Sequence, residues 1–145
     1  MLYKITVLSL AIWWGMFAFF AFVVIPIGGQ AVDSSFDMGV ITHSLAHELN
    51  FFGMLVFIIY AYYTKSLPQS PQQLFYNLTA AILIGGQLFL FLMHYHIEDL
   101  LDTVHRKINY ILTFHDLNFV YRTTCLVLWL VVTGAVGKML FGQKV

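Results

Sequence analysis

The sequence predicts an all-α polytopic membrane protein: one domain over residues 1–145, built as a four-transmembrane-helix bundle with an amphipathic interfacial helix between spans three and four. Three observations carry this expectation. Only 10% of residues are charged, against about 25% in a soluble domain. Mean hydropathy is +0.81. Apolar residues gather into four runs, each near the length of about 20 residues that crosses a bilayer.

The spans are expected at about 5–27, 40–63, 74–96 and 115–141. The first follows Met1–Lys4 and holds Trp13, Trp14 and Gly15, with Pro26 near its end. It is too long for the apolar region of a signal peptide and has no closing A-x-A-like site, so it reads as a retained span. The run at 50–63 is short by itself. It reaches spanning length only if its helix begins near Gly39, which draws His43 and His47 into the outer turns, with Asp33 or Ser35 as the expected cap. Residues 64–73 contain two prolines and read as a short loop. Glycine pairs in the third span (Gly85, Gly86) and the fourth (Gly134, Gly137) read as close-packing positions. Within 97–112, Ile97, Leu100, Leu101, Val104, Ile108 and Ile111 recur at helical spacing, which suits a helix lying in the interface. Thr113 and Asp116 have capping-box-like spacing ahead of the last span.

Four spans put both termini and the 64–73 loop on one side. That side carries Lys4, Lys65, Lys138 and Lys144 and no acid, whereas the other carries all seven acids and all six histidines. The positive-inside rule then makes both termini cytoplasmic, in a bacterial inner membrane, with the histidines facing outward. Net charge is zero with neutral histidines, so nothing points to nucleic acid. The lone Cys125 excludes an intrachain disulfide.

The outward polar cluster is the candidate for chemistry. His43 and His47 are spaced i, i+4, as a helix chelates a metal, and Asn50 and Met54 continue their stripe. Glu48 is a further ligand or an acceptor that orients an imidazole. His94 and His96 close the third span, and Glu98 shares a face with His94, as does Gln87 one heptad earlier. His115 opens the fourth span, and Arg122 follows about 10 Å along the axis.

The expected metal ligands are therefore His43, His47, Glu48, His94, His96 and His115. Imidazoles with carboxylates suit Zn, Cu, Fe or Ni better than Mg or Ca. The competing cofactor is haem b, with His47 and His94 as facing axial ligands and Arg122 on a propionate. The competing reading without a ligand is a row of histidines hydrogen-bonded to backbone or headgroups. The inner halves of the spans carry no Asp, Glu, His or Arg, which counts against an ion pump or aqueous pore.

The first span VLSLAIWWGMFAFFAFVVIPIGG, the Arg106-to-His115 spacing and the segment FHDLNFVYRTTCLVLWLVVTGAV resemble the small four-helix family related to transmembrane protein 205, with Gly15, Pro26, Arg106 and His115 matching. The resemblance covers the first and last spans. It implies a four-span fold and no settled biochemistry, and the four histidines at 43, 47, 94 and 96 depart from it.

Two functions follow. One is redox or metal handling at the outward site, with an open position able to activate a small substrate or pass electrons to a quinone. The other is an accessory or structural subunit of a larger membrane complex, or a homo-oligomer, in which the histidines only line the interface.

Overall fold

A computed structural model of the protein describes residues 1–102 and 104–141. Lys144, expected among the lysines of the terminal side, lies outside them. The described residues form five α-helices, a π-helical turn and one small hairpin. Helix α1 (Leu2–Phe19) runs through a π-helical turn, Phe20–Val24, into α2 (Ile25–Ala31). Helix α3 (Ser35–Lys65) returns, α4 (Pro71–Glu98) rises again, and α5 (Ile111–Phe141) descends. Between α4 and α5 lie two antiparallel strands, β1 (Leu101–Asp102) and β2 (Lys107–Ile108).

Among the described residues, four helical stretches are long and apolar enough to cross a membrane: Leu2–Ala31, Phe36–Lys65, Gln72–Glu98 and Ile111–Phe141. Their side chains mostly point outward, since only between 11% and 33% of each apolar window is buried. Leucine, isoleucine and phenylalanine dominate that outer surface. In water such a surface would cost about 25 cal/mol per Å²; in lipid it costs nothing.

The helix ends follow local chemistry. Ser34 caps α3, its Oγ accepting from Asp37 N at 3.4 Å. The cap therefore falls between the two expected candidates, and α3 begins four residues before Gly39. Ser70 caps α4 by accepting from Gln73 N at 3.2 Å, with Pro71 in the first turn, where its missing N–H costs nothing. Helix α5 begins at Ile111, before the expected Thr113–Asp116 box, and Phe114 N donates to Tyr110 O at 3.0 Å.

The expected interfacial helix is not formed. Its apolar residues serve a hairpin instead: Leu101 pairs with Ile108, and Ile97 is buried in the core at the end of α4. The reason is Asp102. Its Oδ1 accepts from Val104 N at 3.1 Å and His105 N at 3.0 Å, and its Oδ2 sits 2.8 Å from His105 Nδ1. Such side-chain-to-backbone bonds compete directly with a helical ladder. Arg106 then adopts φ 50° and Tyr110 φ 51°, the left-handed region that no α-helix tolerates. The Arg106 guanidinium Nη2 reaches Asp37 Oδ1 at 2.7 Å and Oδ2 at 2.9 Å, tying the hairpin to the first turn of α3.

The core runs down the bundle axis from Ile97 and Phe114, through Leu90, Leu83, Phe57 and Leu128, to Tyr60 and Met139. Two glycines set the helix spacing. A Cβ on Gly53 would meet Trp13 Nε1 at 2.7 Å and Gln87 Oε1 at 2.9 Å, and one on Gly86 would meet Leu128 Cδ2 at 2.5 Å. Gly85, Gly134 and Gly137 face open space, so of the four expected packing glycines only Gly86 makes a close approach. Deep in the bundle, Gln87 Nε2 and Tyr121 OH each donate to Asn50 Oδ1 at 3.0 Å, joining α3, α4 and α5.

Candidate metal centre

The stripes read from the sequence meet at the end of the bundle opposite Met1. His43 lies on α3, two turns above Asn50. His94 lies on α4, two turns above Gln87. The Asn50–Gln87 bond fixes the register of the two helices, and the imidazoles then arrive face to face. Their ring centroids are 3.7 Å apart and their planes 7° from parallel. Glu98, one turn beyond His94, brings Oε2 to 3.9 Å from His43 Nε2. One ligand atom from each of His43, His94 and Glu98 lies within 4.8 Å of the others. Among the described residues this is the one group of three or more such side chains.

His94 is 6% exposed and His43 half-buried, while the Glu98 side chain is open to the outside. The two imidazoles are thus anchored by packing, and the carboxylate is free to swing. A metal of the zinc type needs nitrogen donors at about 2.0–2.1 Å. Parallel rings do not aim their lone pairs at one point, so one ring must tilt; χ2 of histidine is broad, and the less buried His43 has more room to turn than His94.

The structure places the other expected ligands differently. His47 is close, its ring centroid 5.2 Å from that of His94 at 41°, and it is exposed. Glu48, the residue after His47, is exposed and makes no ion pair with Arg122 among the described residues. His96 is exposed and packs edge-on to Tyr95, because two residues along a helix turns it about 200° from His94. His115 is exposed beside Phe114. His105 is held by Asp102 in the hairpin. Those hydrogen bonds, the one from His105 N first, hold the Asp102 carboxyl below the usual carboxylate range.

Sequence reasoning missed what lies beneath the histidines. A cavity of about 320 Å³ is lined by His43, His94, Arg122, Trp129 and aromatic side chains that include Phe20 and Phe114. The π turn of the first span builds one wall, and π turns are frequent at functional sites. Its Phe-rich sequence gives no signal that distinguishes a π turn from ordinary helix.

Comparison with protein families, with curated proteins and with solved structures gives no match. The functional reading therefore rests on the geometry.

Proposed function

We propose that this protein holds a transition-metal ion at the outward face of a membrane, with His43, His94 and Glu98 as ligands and His47 within reach of a fourth position. The observation that carries the reading is the convergence of three ligand atoms within 4.8 Å from two helices. Two imidazoles and one carboxylate form the donor set of catalytic zinc and non-haem iron sites, which keep a coordination position open. Both imidazoles must be neutral to ligate, so binding releases protons and weakens in acid.

A bare ion fits better than haem b. A porphyrin between His47 and His94 would need each ring edge-on from opposite sides, whereas His94 lies flat on His43. The chemistry is metal handling, or redox exchange with a membrane quinone if the ion is copper or iron. The lysine asymmetry supports cytoplasmic termini in this reading. The sequence resemblance to the family of transmembrane protein 205 would imply a four-span fold and leaves the chemistry open.

The test is titration of the purified full chain with Zn²⁺, Cu²⁺ and Fe²⁺, with elemental analysis and an absorption spectrum. One ion per chain and no Soret band are expected. A chain that takes up no metal and co-purifies with a fixed partner protein overturns the reading in favour of an accessory subunit.

A further inference from the structure

The cavity below the histidines is larger than a metal ion needs, and its walls differ from the ion site. Most of its lining is apolar: Phe17, Phe20, Phe22, Ile25, Phe114 and Leu126. At about 320 Å³ it lies at the small end of ligand pockets, which span about 300–1,000 Å³. Its exposed lining residues are Phe22 on one side and Arg122 and Leu126 on the other. It therefore opens sideways, between the first and last spans, above the stacked Trp14–Trp129 pair whose centroids are 4.8 Å apart. A sideways opening on an apolar surface faces lipid.

Arg122 stands at that opening, and among the described residues no carboxylate pairs with it. Helix α5 has 31 residues, about 46 Å at 1.5 Å per residue, against about 30 Å of hydrocarbon. If the excess is shared between the ends, Arg122, eleven residues in, sits about 8 Å below the boundary. A cation there calls for an anion or for snorkelling. A second donor, Trp129 Nε1, is buried on the cavity wall with no partner among the described residues.

We propose that the cavity binds a single-chain anionic amphiphile drawn from the membrane, a fatty acid. Its carboxylate pairs with Arg122 at the opening and its acyl chain lies among Phe17, Phe20 and Phe114. The volume takes one chain, not two, which sets a fatty acid apart from a diacyl phospholipid. The site shares the His43–His94 wall with the metal centre and relies on the same membrane placement, but not on a bound ion.

The experiment is equilibrium binding of radiolabelled palmitate to the full chain in dodecyl maltoside micelles, with empty micelles as background. One saturable site per chain is expected, weakened tenfold or more in Arg122→Gln and largely kept in Arg122→Lys. Ala21 also lines the cavity; Ala21→Phe, which fills it and leaves Arg122 in place, should abolish binding. A metal chelator should leave it unchanged, so that failure of metal binding and failure of palmitate binding are read separately. The proposal is overturned by uptake no greater than in empty micelles, by wild-type binding in Arg122→Gln or Ala21→Phe, or by loss of binding with chelator. Equal competition by uncharged hexadecanol, or stronger competition by phosphatidylglycerol, overturns it as well.

Discussion

Replacing His94 by Asn removes one imidazole and keeps a polar group at a buried position. Structural zinc sites with four ligands bind with about 10–16 kcal/mol, or about 2.5–4 kcal/mol per ligand. Three protein ligands then give about 8–12 kcal/mol, a Kd between about 1 μM and 1 nM. Loss of His94 should weaken binding roughly 70- to 900-fold. The loss should be at the upper end, because His94 is the most buried of the three groups and its ring lies 3.7 Å from His43 and 5.2 Å from His47. The assay is competition titration against a chromophoric chelator at fixed pH. His96→Asn and His115→Asn are the controls, since both side chains are exposed away from the cluster, and each should change Kd less than twofold. Equal effects of His94→Asn and His96→Asn would refute the assignment, because binding would then follow the number of imidazoles and not their place.

Asn50→Leu strands two buried donors, Gln87 Nε2 and Tyr121 OH, and should destabilise the bundle by about 1–3 kcal/mol in reversible unfolding. Gln87→Leu removes one hydrogen bond together with an already unpartnered oxygen, Gln87 Oε1, so it should stay within about 1 kcal/mol of wild type. Gly53→Ala forces a Cβ within 3 Å of Trp13 and Gln87, both buried, and should cost about 1–3 kcal/mol in the same assay. The hairpin should loosen in acid. Because the folded state lowers the Asp102 pKa, its contribution is fully present at neutral pH, declines as pH falls below the ordinary value near 3.9, and is gone below the folded value. Hydrogen exchange at the Val104 and His105 amides reads this directly, and Asp102→Asn should remove the pH dependence.

The four long apolar helices were legible because runs of apolar residues of spanning length mark them regardless of packing. The stripe His43–His47–Asn50 and the stripe Gln87–His94–Glu98 were legible from helical spacing alone. Which histidines meet was not, because that depends on the register between α3 and α4, and a buried bond between Asn50 and Gln87 sets it. Spacing already turned His96 away from His94 unless the helix broke there; α4 continues through it to Glu98, so His96 points outward, as does His115 with the early start of α5 at Ile111. The 97–112 segment misled for a physical reason. Apolar residues at helical spacing also satisfy a two-residue ladder, and the competition was decided by one carboxylate, Asp102, bonding to the backbone two and three residues on. The cavity left no mark in the sequence, since the π turn that contributes Phe20 and Phe22 to its wall reads as ordinary apolar helix.

The most direct measurement is X-ray absorption at the metal edge of the loaded wild-type protein and of Glu98→Gln. The account predicts a shell of nitrogen and oxygen donors at about 2.0–2.2 Å with the outer-shell signature of two imidazoles, the oxygen contribution changing in the variant. A shell with one imidazole or none, or one indifferent to Glu98, would contradict it.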